Sequence, residues 1–298
     1  MPGAGSPPNL PEGKAVELAG RGTTFVHEVA GPPGAPVLIL LHGWTANAAL
    51  NWYTSFGPLG QHFRVLALDH RGHGRGIRAR KPFRLDDCAD DVAALAEQLG
   101  IERFIPVGYS MGGPIALLTW RRHPDHVAGM VLCATAARFV GRRPAERMWA
   151  QGVLGLSVAA TLAPASLRRR AMARIVSNRL DGTDLTDWSN AELARNDPAA
   201  LLRAGALLAS FDAAGWLPTI DVPCAVVVTE EDQIVPRANQ LALAQGIPGG
   251  EVFGVAGDHG VCVSDVERFV PVLVAACQSV ARRVVDGPSA QPGRPVTT

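Results

Sequence analysis

Three residues far apart in the chain, Ser110, Asp232 and His259, could together turn a hydroxyl group into a nucleophile. Ser110 sits in Gly108-Tyr109-Ser110-Met111-Gly112, a G-x-S-x-G run between an apolar stretch and a segment of helical character. The chemistry needs each residue type. A serine hydroxyl attacks poorly until a base accepts its proton. Neutral imidazole can do this near pH 7 and return the proton to a leaving group. A buried carboxylate fixes the imidazole tautomer and stabilises the imidazolium. Each of the three follows a strand-like run: Phe104–Val107 before Ser110, Cys224–Val228 before Asp232, and Glu251–Val255 before His259. If those runs are parallel strands, all three residues fall on one edge of a sheet.

The glycines around Ser110 have a steric reason. Side chains two residues before and after the serine would collide across a tight strand-to-helix bend, and glycine removes them. The helix beyond would aim free N–H groups and its positive end at Ser110. An oxyanion hole would come from two backbone N–H groups, that of Met111 after the nucleophile and that of Trp44 after His42-Gly43. Losing one such donor typically costs about 3 kcal/mol. The pentapeptide alone carries little weight in a chain with 32 glycines, so the partners decide the reading. Glu230 and Glu231 compete with Asp232 as the acid, and His42, His70 and His73 compete with His259 as the base. His42 is placed to shape the oxyanion loop. Asp69 with His70 and His73 suggests a metal only weakly, because no further ligands cluster nearby, and no metal or cofactor is expected.

The elements that must position these residues follow from hydropathy. Ala15–Leu18 and Thr23–Val29 look like an edge hairpin. Pro36–Leu41 is a continuous apolar run, and it, Phe63–Leu68, Phe104–Val107, Val127–Cys133 and Val222–Val228 read as strands, apolar enough to be buried on both faces. Pro106 is an irregularity in its strand. Helices are expected over about 51–61, over 85–99 closed by Gly100, after Ser110 with Pro114 in the first turn, over 198–211, over 237–245 and over 265–284. Between 139 and 196 the alternation stops. The segment is helical in character and reads as an inserted cap. Its charge-free stretch Met148–Leu167 precedes Arg168-Arg169-Arg170. That stretch suits an apolar cap helix lining an acyl pocket better than a membrane span, because Gln151, Gly152, Gly155 and Pro164 interrupt it. Transient contact of the cap with a lipid surface is a minor alternative. Trp149 and Trp188 read as cap packing residues. The expected class is therefore α/β: a mostly parallel central sheet with helices on both faces, its core formed by 15–138 and 197–285, and an inserted helical cap over 139–196.

The 298 residues are 47% hydrophobic and 18% charged, which suits a large buried interior. A net charge of +1 gives no footprint for nucleic acid. The five cysteines are odd in number and scattered without a C-x-x-C, as expected of reduced thiols in a cytoplasmic protein. Residues 1–14 and 286–298 are Pro- and Gly-rich and read as disordered tails; the first lacks the apolar core of a signal peptide.

Leu41-His42-Gly43-Trp44, Asp69-His70-Arg71-Gly72-His73-Gly74, Gly108–Gly113, Asp232-Gln233-Ile234-Val235-Pro236 and Gly257-Asp258-His259-Gly260 occur in an order that resembles the α/β-hydrolases of the capped serine esterase/lipase type. The resemblance covers about 15–284. It implies Ser110 as nucleophile, Asp232 as acid and His259 as base, with the Trp44 and Met111 N–H groups as oxyanion donors and Trp44 and Tyr109 near the substrate. It also implies cofactor-free hydrolysis of a small ester or lipid-like substrate, or of a thioester. The same site serves perhydrolases and carbon–carbon bond hydrolases in this family. Epoxide hydrolases and haloalkane dehalogenases carry aspartate where this chain has Ser110. Two features depart from the family pattern: Arg75-Gly76 stands where a small residue or serine is usual, and Asp258 separates Gly257 from His259.

Overall fold

The structure, a computed structural model, describes residues 8–78, 82–139 and 183–286. Eight strands form one sheet: β1 (Gly13–Leu18), β2 (Gly22–Val29), β3 (Val37–Leu41), β4 (Arg64–Leu68), β5 (Ile105–Tyr109), β6 (Met130–Cys133), β7 (Cys224–Thr229) and β8 (Glu251–Val255). Their spatial order is β1-β2-β4-β3-β5-β6-β7-β8. The β1–β2 hairpin is antiparallel at one edge, and every pairing from β4 to β8 is parallel. The apolar runs are explained by the sheet's two covered faces. In β3, Ile39 and Leu41 join one core while Leu38 and Leu40 join the other. β7 divides in the same way, with Val226 and Val228 against Ala225 and Val227.

Nine described helices cover the sheet: α1 (Ala48–Trp52), α2 (Phe56–Gly60), α3 (Leu85–Gln98), α4 (Gly112–Arg122), α5 (Thr186–Leu193), α6 (Pro198–Ser210), α7 (Arg237–Gly246), α8 (Val261–Ser264) and α9 (Val266–Asp286). Helices α3, α4, α6 and α7 supply one core, and α1, α2 and α9 the other. Helix α3 begins with Asp86 and Asp87, whose charges suit its N-terminus. It ends where Gly100 turns left-handed at φ 63 and Ile101 N–H reaches back to Ala96 O at 2.8 Å.

Several expectations need correction. The single helix expected over 51–61 is two short ones. Asn47 caps the first by accepting from Leu50 N–H, and a turn closed by Ser55 N–H on Trp52 O separates them. The stretch 1–14 is not all tail: β1 starts at Gly13, and His27 Nδ1 lies 2.9 Å from Pro11 O. Pro106 does lie inside a central strand. Phe104 exchanges both backbone groups with the β6 side, so the two-residue period turns Pro106 toward the same neighbour. Between the Phe104–Val127 bridge and the Val107–Val131 pair, the β6 side carries one extra residue. The missing N–H therefore meets a bulge and not a ladder.

Most of the expected cap, including Trp149 and the Met148–Leu167 stretch, lies outside the described residues. Its return does not. Helix α5 packs over the loops that follow β3 and β4, with the Trp188 ring 5.6 Å from that of Tyr53. Among the described residues, no helix is long and apolar enough to cross a membrane.

Candidate active site

Ser110 directly follows β5, with Met111 between it and α4, and its φ is 51, in the left-handed region where a non-glycine residue is strained. The backbone around it is pinned. Its N–H donates to Cys133 O (2.9 Å), and its carbonyl accepts from Gly113 N–H (2.9 Å) and Thr135 Oγ1 (2.8 Å). The glycines act as the steric argument requires, with one refinement. A Cβ on Gly108 would meet Gly112 O at 2.3 Å, across the bend, but one on Gly112 would meet Leu41 O of the neighbouring strand at 2.1 Å.

The structure brings the three separated residues together. His259 Nε2 lies 3.0 Å from Ser110 Oγ, and His259 Nδ1 lies 2.7 Å from Asp232 Oδ2. An ionised carboxylate can only accept, so Nδ1 carries the hydrogen and Nε2 is left to accept from the serine. The Asp232 carboxylate is fully buried, while the His259 ring keeps 14% of its surface exposed. Burial alone would raise the Asp232 carboxyl. The hydrogen bond and charge of His259, with bonds from Val235 N–H and Thr229 Oγ1, outweigh it and hold the group below its ordinary value. Glu230 instead pairs with Arg237, and Glu231 is exposed. Asp258, the inserted residue, folds its own loop by accepting from Gly260 N–H at 2.7 Å.

The expected oxyanion donors lie beside the nucleophile in the fold. A Cβ on Gly43 would stand 3.3 Å from Ser110 Cβ, so the Gly43–Thr45 turn abuts the elbow. Among the described residues, neither the Trp44 nor the Met111 N–H donates a hydrogen bond. Pro114 removes one further orphan donor from the first turn of α4. The Trp44 ring rests on Gly205 of α6 and its indole N–H donates to Leu201 O at 2.8 Å, so its polar end serves packing. Tyr109, expected at the substrate, lies in the core instead. It shares the inward parity of Ile105 and Val107, and its hydroxyl donates to His259 O at 2.9 Å. It steadies the base's loop from behind.

His42 Nε2 accepts from His70 N–H at 3.0 Å and its Nδ1 lies 2.8 Å from Gly43 O, so this ring braces the start of the Gly43–Thr45 turn. His70 and His73 pack against it with ring centroids 4.3 and 5.2 Å away. Burial depresses all three, His73 to about 4. The Asp69 carboxylate accepts from Ala48 and Arg75 N–H groups, and among the described residues no group of three His, Cys, Asp or Glu is arranged to hold a metal ion.

Four residues of the site went unnoticed in the sequence. Thr229 Oγ1 donates to Asp232 Oδ2 (2.8 Å), and Gln240 Nε2 donates to Thr229 Oγ1 (2.7 Å). Asn51 accepts from Gly43 N–H (2.8 Å), and Asn196 donates to Thr45 O (2.9 Å). Gln240 left a signal, since it is a polar residue on the helix face that also carries Leu243 and Ala244 into the core. The asparagines left none.

Similarities to known proteins fit this geometry. A putative carbamate hydrolase RutD of Agrobacterium fabrum is 29% identical over 240 residues, 79% of this chain and 90% of that protein. A bifunctional esterase/perhydrolase DCH of Acinetobacter calcoaceticus is 38% identical over 113 residues, 37% of this chain and 41% of that protein. A crystal structure of a hydrolase from Pseudomonas aeruginosa PA01 superimposes with a TM-score of 0.74 at 20% identity, covering 90% of this chain and 98% of that one, which speaks for the fold alone. The family model for the alpha/beta hydrolase fold matches residues 36–262, from the strand before Trp44 through His259, and the chain belongs to that family of hydrolases.

Proposed function

We propose that this hydrolase cleaves carboxylic esters or thioesters with an apolar acyl or alcohol part through an acyl-serine intermediate. The contact chain from Ser110 Oγ through His259 to Asp232, on a strained elbow, carries the reading. Ser110 Oγ attacks the carbonyl carbon while His259 Nε2 takes its proton. The oxyanion rests on the N–H groups of Trp44 and Met111. The C–O or C–S bond then breaks, and His259 returns the proton to the leaving group. Water activated by His259 attacks the acyl-Ser110 ester and releases the acid. No cofactor is needed. The free, buried cysteines suit a cytoplasmic setting.

The relatives' names favour two neighbouring reactions as further arms of the test. A carbamate carbonyl could be attacked by the same serine, and hydrogen peroxide could replace water in opening the acyl-enzyme to give a peracid. The experiment compares p-nitrophenyl esters of rising acyl length, carbamates, and peracid formation for wild type and Ser110→Ala. Ester turnover is expected to fall on the order of 10⁴-fold or more in the variant. Wild-type turnover by Ser110→Ala would refute the mechanism. A wild type that turns over carbamates but no ester would refute the substrate class alone.

A further inference from the structure

Arg75, the residue that departs from the family's usual loop, leads to an arrangement that the triad does not use. Its guanidinium lies over the Phe25 ring at 4.6 Å and 3.2 Å from Glu192 Oε1 on α5. Glu192 is buried, and its other oxygen accepts from Asn47 Nδ2 at 2.7 Å. One turn beyond, Asn196 is buried as well and bridges two loops. Its Oδ1 accepts from Gly74 N–H (2.7 Å) and its Nδ2 donates to Thr45 O (2.9 Å). The returning segment therefore grips both loops that follow β3 and β4.

Thr45 follows Trp44 directly, and its φ is 66. A β-branched residue there is costly and persists only if neighbours over-determine it. The neighbours are Asn51, which accepts from Gly43 N–H on one side, and Asn196, which holds Thr45 O on the other. The Trp44 peptide N–H lies between these two anchors. A hydrogen-bond donor aimed at developing charge loses its value when its direction drifts. Only an amide of this reach offers both the donor for Thr45 and the acceptor for Gly74.

We infer that Asn196 is a positioning residue for the oxyanion donor Trp44 N–H, so that a competent oxyanion hole requires the C-terminal stem of the insert to be docked. The inference rests on the serine-hydrolase reading above, and the test separates the two. The first readout is the second-order rate of Ser110 phosphonylation by a fluorophosphonate, whose P=O oxygen occupies the oxyanion hole. The others are kcat and KM on the best ester, and the ratio of turnover between that ester and its thiono analogue, whose sulfur is a weak acceptor. Asn196→Ala is expected to slow phosphonylation and kcat about tenfold or more, with KM changed little, and to shrink the ester-to-thionoester preference. Asn196→Asp keeps the acceptor for Gly74 but not the donor for Thr45, and is expected to behave alike. Active-site titration and thermal unfolding separate a slower site from a smaller folded fraction. Folded Asn196→Ala that labels and turns over at the wild-type rate would overturn the inference. So would a loss that follows the titrated fraction alone in both variants. A wild type that is labelled but hydrolyses no ester would leave the inference standing on the labelling rates and remove the ester reading.

Discussion

Asp232 and the Gly43–Thr45 turn serve the same site from opposite sides of the elbow, and they are held in opposite ways. The carboxylate takes bonds from Thr229, Ile234 and Val235, all within three residues of it, and from His259. The turn is held by Asn51, Asn196 and the carbonyl of Leu201, the last 157 positions away from Trp44. The acid end is a local structure, folded by the turn that follows β7. The support of the Gly43–Thr45 turn is tertiary, and two of its three anchors come from the segment that returns after residue 183. A local network resists distant change, whereas a tertiary one transmits it.

Of the two ends, the acid end should give the larger effect. Asp232→Asn keeps the shape of the turn but can no longer hold the Nδ1–H tautomer of His259. Turnover is expected to fall about 10³–10⁴-fold, with fluorophosphonate labelling slowed in parallel. The drop should exceed that of Asn196→Ala, because one variant removes the function of the base and the other misaims a donor. A smaller loss than Asn196→Ala gives would invert the comparison.

The same contrast explains what could be read from the sequence. Ser110, Asp232 and His259 were legible because each follows its own strand within a few residues; the strands before Ser110 and Asp232 are buried on both faces and read as unbroken apolar runs, whereas β8 before His259 is the half-exposed edge of the sheet. The parallel order followed from their alternation with helices. Tyr109 was misplaced although the information was present: it shares parity with Ile105 and Val107, and two-residue periodicity turns all three into one core. Asn51 and Asn196 could not be found this way. Their roles depend on which loop lies beside them in space, and an asparagine at a helix end or in a loop has many ordinary uses. The departure at Arg75 was visible, but its partner Glu192 became apparent only in the fold.

A second test uses acid. His42, His70 and His73 surround the oxyanion end, and burial depresses each. In the unfolded chain they take protons near pH 6.5, so stability is intact above that value and declines below it, by about 1.4 kcal/mol per pH unit for each group. For His73 the decline continues to about pH 4, its folded value. Asp232 works in a lower window. Its folded value is depressed, so its contribution is present above the ordinary carboxylate range and is lost only as the pH falls through that range and below. Urea unfolding at pH 7, 5.5 and 4.5 should therefore show loss beginning before Asp232 titrates. His70→Leu is the sharper variant, because neither ring nitrogen of His70 has a protein partner among the described residues. It is expected to flatten the pH slope at little cost at pH 7. An unchanged slope would detach the acid response from this cluster.

The smallest effect asks how far the local network extends. Gln240 donates to Thr229 Oγ1, Thr229 donates to Asp232, and Asp232 accepts from His259, so a buried relay ends on the base. Thr229→Val keeps the shape and removes one hydrogen bond to a carboxylate, worth about 1.5–3 kcal/mol when broken. Most of that falls on stability, because Ile234 and Val235 N–H groups still hold the other oxygen. The expected kinetic loss is about tenfold or less in kcat, with KM unchanged, and Thr229→Ser should restore it. Losing the donor also lets the Asp232 carboxyl rise, so the part of acid unfolding that belongs to Asp232 should begin at higher pH. If Thr229→Val costs as much as Asn196→Ala, the acid end is no more robust than the oxyanion end, and the distinction between local and tertiary support fails. If it costs less and serine rescues it, the triad's acid owes its position to the β7 turn itself, and the distant stem matters only on the oxyanion side.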